Sequence, residues 1–418
     1  MKTLWSERFA QRTQGMRRSE VRELLKLTER PGVISFGGGL PAPELFPLAR
    51  CEEACTKVLR EHGAAALQYS ATEGYRPLRE MIARHTRRYG LTVDADNILI
   101  TSGSQQALDL IGKVFVNPGD HILVERPTYL GALQAWTSYQ AQYLTVGMDD
   151  EGARVDEMET ELRAGPKFIY ALPNFQNPTG VTLSLARRRR IVELADHYGV
   201  PILEDDPYGQ LRYEGDHLAP LVEIDAAYRG GDGPYSGNVI YLSTFSKTLA
   251  PGLRLGWIVA PADVIDRLVQ AKQGTDLHTS TFTQYVAYEV ASGGFLDQHV
   301  RTIRAAYRER RDAMIAAMEE SFPRGVTWTR PHGGLFLWVR FPEGLDAADV
   351  LKETLKVDVA FLVGSAFFVD GSGRNTARFN FSNASVERIH EGVRKIGAVL
   401  QRMRPAPSGE PVTVLTRR

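Results

Sequence analysis

The sequence has few cysteines, no excess of either charge and no dense cluster of metal ligands. Cys51 and Cys55 are its only cysteines, too few for a disulfide framework and consistent with two reduced thiols. No further cysteine or histidine cluster completes a coordination shell, so we expect no metal. Lysine plus arginine and aspartate plus glutamate each number 50, so no overall electrostatic field attracts nucleic acid.

Long apolar runs are also missing. No stretch of the 418 residues approaches the roughly 18 apolar residues that a transmembrane helix needs. Charged residues interrupt every segment near the N-terminus that would serve as the apolar part of a signal peptide. We therefore expect a cytoplasmic protein that does not bind a membrane.

The remaining composition is that of an ordinary globular protein, with 43% apolar and 24% charged residues. Between about residues 97 and 260, short β-rich runs alternate with helical stretches, a pattern typical of a mostly parallel sheet covered by helices on both faces. Sheets of this kind bind their ligands at the C-terminal ends of the strands. The predicted strands are NILITSG, HILVERP, KFIYALP, VPILEDD, NVIYLSTFSK and RLGWIVAP.

The rest of the chain predicts a second, smaller unit. Residues 262–320 have a helical and charged pattern that includes a long connecting helix, and an α+β pattern follows. Residues 214–237 resemble a loop, and the proline-rich residues 404–418 are expected to be mobile. The four arginines from Arg187 to Arg190 are expected to face solvent around a helix.

A lysine at the end of a strand is the first chemical candidate. Lys247 follows a β-rich run in STFSK, close to Thr244 and Ser246, and Arg254 comes seven residues later. Burying an ammonium group is costly unless it is neutralised, paired or used covalently, for example as a Schiff base with an aldehyde cofactor. The hydroxyls and Arg254 would suit a phosphate on that cofactor. The alternative is a lysine that reaches solvent.

Three other strand ends carry polar side chains, each with a structural alternative. Ser104 begins a helix, where free amides and the helix dipole favour a phosphate, although an isolated Gly-Ser turn by itself favours a plain N-cap. Asp205 at such depth needs a cationic partner, for which a protonated ring nitrogen of a cofactor would serve; the alternative is a carboxylate that pairs with an arginine or caps a helix. Asn177 precedes a Pro-Thr-Gly turn and either donates to a phenolate oxygen or only forms the turn.

These motifs, in this order, resemble a known family. STFSK with Arg254, NPTG, EDDPY, SGSQ and RFNFS look like the signature of fold-type I pyridoxal-phosphate (PLP) aminotransferases of class I/II. SFGGGLPAPELFP, LQYSATEGYRPLR and KQGTDLHT resemble the branch with bacterial α-aminoadipate and kynurenine/α-aminoadipate aminotransferases. The resemblance implies an α/β fold in which residues 46–310 form a large domain with a mostly parallel seven-stranded sheet. Residues 1–45 and 311–418 would form the smaller α+β domain.

The resemblance also implies a role for each matching residue. Lys247 would bind PLP and, as a neutral amine, move the proton at the substrate Cα; Asp205 would pair with the pyridine nitrogen, and Tyr129 would stack on the ring. Tyr69 would reach the phosphate of a second subunit, which predicts a homodimer with shared active sites. The implied cofactor contacts are Ser104, Gln105, Tyr129, Asn177, Asp205, Tyr208, Thr244, Ser246, Lys247, Arg254 and Tyr69.

Substrate contacts follow from the same resemblance. Arg378 would bind the substrate α-carboxylate with Asn177 and Gly39, although an arginine in a strand also fits an ordinary ion pair. Arg22 matches an arginine that meets the distal carboxylate in relatives, although an arginine on an N-terminal helix is commonly a surface residue. The glycines 37–39 would act as a lid, and His278 would line the substrate channel.

The implied activity is PLP-dependent transfer of an amino group from an L-amino acid to a 2-oxo acid such as 2-oxoglutarate, by a ping-pong mechanism. The expected donor resembles 2-aminoadipate, with tolerance for aromatic or branched-chain amino acids. One alternative is a PLP-dependent lyase, decarboxylase or synthase on the same fold. The other is a regulator that only senses PLP, which is disfavoured because the likeness begins too early to leave room for a DNA-binding domain.

Overall fold

The computed structural model describes residues 3–13, 15–16, 32–87, 90–230 and 233–403. Two sequence predictions, on Arg22 and on the tail from residue 404, lie outside these residues. Within the described part of the chain, no helix combines the length and the apolar character needed to cross a membrane.

A mostly parallel sheet forms the centre of the larger part of the molecule, as the sequence predicts. Five consecutive strands of the sheet pair parallel with one another. The strand Gly256–Val259 pairs antiparallel with both of its neighbours. A two-residue strand at one edge extends the expected seven strands to eight. The order across the sheet is Ile98–Thr101, Gly256–Val259, Val239–Thr244, Ile202–Asp205, Ile169–Ala171, His121–Arg126, Gln142–Asp149 and Gly152–Ala153.

Both faces of this sheet are covered, which explains why its strands are apolar at almost every position. Successive residues alternate between two apolar clusters: Ile98 and Ile100 belong to one, and Leu99 belongs to the other. The helices of this part are Leu48–Ala66, Arg76–Arg87, Ser104–Phe115, Leu130–Thr137, Val155–Leu162, Leu185–Tyr198, Leu221–Arg229, Ala262–Asp276 and Thr281–Ala291. Short 3₁₀ turns lie at Trp5–Glu7, Gln11–Thr13, Pro43–Leu45, Ala95–Asn97, Pro251–Leu253 and Gly364–Phe367.

A further apolar cluster lies around a smaller antiparallel sheet. The helix Phe295–Ser321 links the two parts, because Leu296 and Val300 pack in the large-sheet cluster that contains Ile98 and Ile100, and Met314 and Met318 pack in the cluster of the small sheet. The order of the small sheet is Thr327–Trp328, Phe336–Arg340, Thr376–Asn380 and Leu362–Val363. Helices Ala347–Leu355 and Val386–Arg402 and the parallel pair Ile34–Ser35 with Val359–Ala360 complete this part.

The expectation of a loop over residues 214–237 was wrong in its middle. Helix Leu221–Arg229 lies there, and the fully buried Glu204 accepts hydrogen bonds from the amides of Leu221 and Val222 at 2.8 and 2.9 Å. This carboxylate satisfies two of the unpaired N–H groups of the first helical turn. The cap comes from a distant strand, so the local sequence carried no strong helix-start signal.

The expectation that the four arginines face solvent was also wrong for one of them. Arg188 is fully buried on helix Leu185–Tyr198. Its guanidinium donates to the carbonyl oxygens of Leu183, Pro173 and Ala219 at 2.8–3.0 Å and to Asn174 Oδ1 at 2.6 Å. A buried arginine is tolerated when its N–H groups have acceptors. The guanidinium of Arg188 has five N–H groups, and four acceptor atoms surround it here.

Candidate active site

A cavity of about 720 Å³ opens where the parallel strands end. Its walls bring together residues that lie up to 339 positions apart in the chain, from Gly39 to Arg378. The sequence-predicted site residues that line it are Gly39, Ser104, Gln105, Tyr129, Asn177, Asp205, Tyr208, Thr244, Ser246, Lys247, Arg254 and Arg378.

Lys247 lies in the turn that follows strand Val239–Thr244, with its amine directed to the cavity. Its Nζ donates to the carbonyl oxygen of Gly39 at 2.7 Å. Removal from bulk water, with added repulsion from Arg378 and Arg254, lowers the pKa of this amine to about 8. At pH 7 about a tenth of Lys247 is therefore neutral, a far larger fraction than for an exposed lysine.

Asp205 ends strand Ile202–Asp205 and is 3% exposed. Its Oδ2 accepts a hydrogen bond from the Tyr170 hydroxyl at 2.8 Å, whereas Oδ1 is buried and has no partner among the described residues. Burial raises the pKa of Asp205 to about 7, although the Tyr170 hydrogen bond acts in the opposite direction. Its carboxylate therefore requires a cation or a further donor to hold its charge at that depth.

The start of helix Ser104–Phe115 makes a close approach to Arg254. Gly103 adopts a φ of 80°, and a Cβ at that residue would lie 2.5 Å from Arg254 Nη2. A Cβ at Gly256 would lie 2.8 Å from the Ser104 amide nitrogen. Only glycine permits both approaches, which bring the helix N-terminus and the guanidinium to one end of the cavity. The Ser104 hydroxyl there is buried and lacks a hydrogen-bond partner in the described part of the chain.

The two hydroxyls of the Lys247 turn have different surroundings. Thr244 Oγ1 donates to the carbonyl oxygen of Leu255 at 2.7 Å and accepts from the Ser246 amide at 3.1 Å. Ser246 Oγ lies 2.9 Å from Thr244 Oγ1. Because the Thr244 proton is used within the protein, the Ser246 hydroxyl is the better donor toward the cavity.

Arg378 lies on strand Thr376–Asn380 and is 3% exposed. Its guanidinium carbon is 4.2 Å from the ring centroid of Phe336 and 5.2 Å from that of Phe367. Nη1 donates to Asn177 Oδ1 at 2.8 Å and Nη2 donates to the Gly37 carbonyl oxygen at 2.6 Å. Burial lowers the pKa of Arg378 to about 10, so it stays cationic at neutral pH.

Two tyrosines add aromatic surface to the cavity. Tyr129 precedes helix Leu130–Thr137, and a Cβ at Gly131 would lie 2.5 Å from its ring, so glycine gives this ring its space. Tyr208 is 4% exposed and packs edge-on against Phe336 with ring centroids 5.8 Å apart. Burial raises the pKa of the Tyr208 hydroxyl, which therefore keeps its proton and can donate.

Two residues that the sequence associated with the site lie elsewhere. Tyr69 is 78% exposed and does not line this cavity, and its ring meets the ring of His278 edge-on at 5.8 Å. His278 lies outside the lining of this cavity as well, so its expected place along the substrate channel stays a prediction. The two residues form a small aromatic group on the protein surface.

Sequence reasoning missed Tyr170, Phe336 and Phe367. Tyr170 stands in an otherwise apolar strand, and a buried tyrosine hydroxyl normally requires a partner, so its position was a usable signal. Phe336 and Phe367 carried no such signal. Their packing on Arg378 depends on how distant segments of the small sheet meet.

Comparisons with known proteins agree with this arrangement. Residues 43–396 match the family described as Aminotransferase class I and II. The chain is 46% identical over 400 residues to Aromatic-amino-acid aminotransferase 1 of Thermococcus litoralis, with 94% of each chain covered. It is 44% identical over 400 residues to the 2-aminoadipate transaminase of Thermus thermophilus, with 95% of this chain and 97% of the relative covered.

A solved structure shows the same similarity in three dimensions. The crystal structure of LysN, the α-aminoadipate aminotransferase from Thermus thermophilus complexed with N-(5'-phosphopyridoxyl)-L-leucine, matches with a TM-score of 0.89 and 42% identity. It covers 96% of this chain and 98% of the LysN chain. The chain thus belongs to the class I and II aminotransferases and is a PLP-dependent aminotransferase.

Proposed function

We propose that this aminotransferase uses 2-aminoadipate-like, aromatic and branched-chain L-amino acids as donors and 2-oxo acids such as 2-oxoglutarate as acceptors. The observation that carries the assignment is one cavity lined by the Lys247 amine, the buried Asp205 carboxyl and the Arg378 guanidinium. Leu40, Leu130 and Phe367 also line it and favour apolar side chains on the donor. The named activities of the similar proteins support the aromatic and 2-aminoadipate-like donors, and the leucine adduct in the LysN structure supports a branched-chain donor.

The residues of the cavity fit PLP. Asp205 Oδ1, Ser104 Oγ and Arg378 Nε are buried polar atoms for which the described residues offer no partner, and all three residues line the cavity. Unpaired buried polar atoms are rare and costly in proteins unless a ligand or water satisfies them. A protonated ring nitrogen, a phosphate and a carboxylate are the matching groups. When bound, PLP supplies an electron-withdrawing ring that stabilises negative charge at the substrate Cα.

The phosphate end is assigned to the helix N-terminus at Ser104. Its free amides and hydroxyl, together with Arg254, provide donors and positive charge for an anion. Ser246 contributes the available hydroxyl of the Lys247 turn, and Thr244 positions it. Gln105 borders the same end, where its amide donates to the Gly131 carbonyl oxygen at 2.9 Å.

At the opposite end, Asp205 would hold a proton on the ring nitrogen. A cation against Oδ1 would balance the negative charge of this buried carboxylate. The Tyr170 hydroxyl donates a hydrogen bond to Oδ2. Tyr129 would cover the ring face, and Tyr208 with Asn177 would donate to the phenolic oxygen. These contacts orient the ring and exclude water from one face.

Lys247 is assigned the proton transfer at the substrate Cα. A general base works best when its pKa lies close to the working pH, and the lowered pKa of about 8 meets that condition. Arg378 is assigned the substrate α-carboxylate, because its planar group retains N–H donors beyond those used by Asn177 and Gly37. Gly39 lies beside both groups and would contact the same carboxylate.

The assembly and the domain division also belong to the proposal. Tyr69 is exposed and lies outside the cavity of its own chain, which supports a homodimer in which it reaches the phosphate of the partner. The large domain would span residues 46–310, and residues 1–45 with 311–418 would form the small one. The change of packing partner along helix Phe295–Ser321 supports a boundary on that helix.

Replacing Tyr170 with phenylalanine is expected to weaken PLP binding about tenfold or more at pH 7, because a hydrogen bond to a charged acceptor contributes roughly 1.5–3 kcal/mol. The pKa of Asp205, about 7 in the intact protein, should rise because its ionised form loses a donor. High pH ionises Asp205 regardless, so the deficit should shrink at pH 9. Equilibrium dialysis of PLP between pH 6 and 9 measures both effects.

The matched control is Tyr143→Phe, whose hydroxyl donates to the Leu133 carbonyl oxygen at 3.2 Å away from the cavity. This variant should bind PLP as the parent does at every pH. An equal loss of affinity at pH 7 and pH 9 in Tyr170→Phe would contradict a role through the ionisation of Asp205.

The function itself is tested by a panel of L-amino donors with 2-oxoglutarate, in which the glutamate produced is measured. We expect 2-aminoadipate, phenylalanine and leucine to rank above alanine in kcat/KM. If Arg22 meets a distal carboxylate, Arg22→Ala should lower kcat/KM for 2-aminoadipate about tenfold and leave leucine unchanged. Arg50→Ala, which removes a half-buried arginine that is paired with Glu53 and lies outside the cavity lining, is the control. Unchanged discrimination in Arg22→Ala would refute the Arg22 assignment alone.

A further inference from the structure

A second cavity, of about 380 Å³, lies on the face of the large sheet that packs in the apolar cluster of Ile98 and Ile100. Its walls include the rings of Phe245 and Trp257 and the apolar side chains of Ile82, Ala291 and Leu296, all of them buried. The Phe245 and Trp257 rings meet at 4.8 Å between centroids and 51° between planes. The known reaction assigns no role to this space.

Strand geometry places this cavity directly behind the cofactor site. Thr244 and Ser246 line the first cavity, and Phe245 between them lines the second. On the neighbouring strand, Gly256 approaches the Ser104 amide, and the next residue, Trp257, lines the second cavity. Neighbouring residues at the end of strand Val239–Thr244 and along strand Gly256–Val259 thus line different cavities, so this part of the sheet separates the two.

Trp257 carries an unusual polar atom into this apolar surrounding. Trp257 is 5% exposed, and its Nε1 is buried without an acceptor among the described residues. A buried indole N–H normally has a partner, and an unpaired donor loses the free energy of its hydration. A ligand atom that accepts from Nε1 would remove this cost.

The remaining polar residues at this cavity favour no net charge. His85 Nε2 lies 2.9 Å from Gln210 Nε2 in a hydrogen bond, and Arg84 and Asp297 contribute opposite charges. A cavity of this volume accommodates a molecule of one or two rings. Aromatic walls and the buried, unpaired N–H of Trp257 together define the complementary ligand.

We propose that this cavity binds a small uncharged aromatic molecule with one hydrogen-bond acceptor directed at Trp257 Nε1, and that its occupancy strengthens PLP binding. The coupling runs through Phe245. Its amide donates to the Leu255 carbonyl oxygen at 3.1 Å, and its carbonyl oxygen accepts from the Leu249 amide at 2.8 Å. A ligand against the Phe245 ring restrains the turn that carries Ser246 and Lys247. This turn then loses less conformational entropy when PLP binds, and PLP affinity rises.

Binding is tested with the PLP-loaded protein and two probes of nearly equal shape. Benzonitrile has a nitrogen that accepts a hydrogen bond, and phenylacetylene has a carbon in its place. Labelling the five tryptophans with 5-fluorotryptophan gives ¹⁹F signals, of which Trp257→Phe identifies one. We expect benzonitrile to shift the Trp257 signal saturably. No shift up to the solubility limit of benzonitrile would overturn the proposal.

The hydrogen bond is tested by comparing affinities. Benzonitrile should bind about threefold to tenfold more tightly than phenylacetylene, the range expected for one net hydrogen bond. Trp257→Phe should remove this preference. Trp328→Phe is the matched control, since Trp328 Nε1 is also buried without a described partner but lies away from this cavity. A preference that survives in Trp257→Phe, or disappears in Trp328→Phe, would refute the assigned donor.

The cavity and its coupling are tested by two further measurements. Ala291→Leu narrows the space and should abolish binding of both probes, which a surface interaction would not show. Saturating benzonitrile should lower the dissociation constant of PLP for the protein without substitutions about fivefold. Bound PLP should lower the dissociation constant of benzonitrile by the same factor. Equal PLP affinity with and without bound benzonitrile would refute the coupling.

Discussion

Replacing Lys247 with alanine is expected to lower kcat/KM for transamination on the order of 10⁴-fold or more, because in the proposed mechanism this residue both attaches PLP covalently and acts as the base at the substrate Cα. Lys247→Arg should lower kcat/KM to a similar extent. Arginine keeps the positive charge beside Arg378 and Arg254 but cannot become a neutral base at working pH. Steady-state kinetics with 2-oxoglutarate and a good donor measure the loss.

A second measurement separates the loss of chemistry from a loss of folding. Borohydride reduction followed by peptide mass analysis should find the cofactor mass on Lys247 in the parent protein and on no lysine in Lys247→Ala. Lys167→Ala, which removes an exposed lysine that lies 3.4 Å from Asp120, should retain activity and labelling. Turnover by Lys247→Ala at the parent rate would refute the assignment.

Exchange of Arg378 for lysine is expected to raise the KM for amino donors about 100-fold, because a single ammonium cannot reproduce a planar two-point contact with a carboxylate. Removing one partner of a buried charged contact typically costs 2–5 kcal/mol, or roughly 30- to 4,000-fold. The lysine would also lose the packing of the guanidinium against Phe336 and Phe367. The visible absorbance of bound PLP should persist, since Asp205 and Lys247 remain.

Arg340→Lys provides the control for this substitution. Arg340 is exposed at the end of the neighbouring strand Phe336–Arg340, outside the cavity lining. Its replacement should leave KM and kcat unchanged. An unchanged KM in Arg378→Lys, with intact PLP absorbance, would show that another group binds the substrate carboxylate.

Secondary structure was predictable where local signals and burial agreed. The six predicted strands of the large sheet occur, as does the helix that begins at Ser104 after Gly103. Prediction failed for the strand Gln142–Asp149, whose residues are only partly buried at most positions and give no continuous apolar run. Prediction also failed for helix Leu221–Arg229, whose N-terminus is capped by Glu204 from the strand Ile202–Asp205.

Much of the cavity lining was predictable as a set of residues because its members follow strand ends, and parallel strands end at the same edge of a sheet. Ser104, Asn177, Asp205 and Lys247 were found in this way, and the cavity brings them together. Their environments were not predictable. Whether a lysine beyond a strand is neutral or charged depends on burial and on nearby cations that belong to other segments.

The sequence by itself determined the family, the sheet and the chemical groups at its edge, because these depend on local patterns and on the order of motifs. Only the tertiary structure decided the lowered pKa of Lys247, the Tyr170 contact of Asp205 and the aromatic enclosure of Arg378. It also decided that Phe245 and Trp257 line a second cavity. The reason is physical: desolvation and packing depend on which distant residues become neighbours, and sequence separation does not encode those distances.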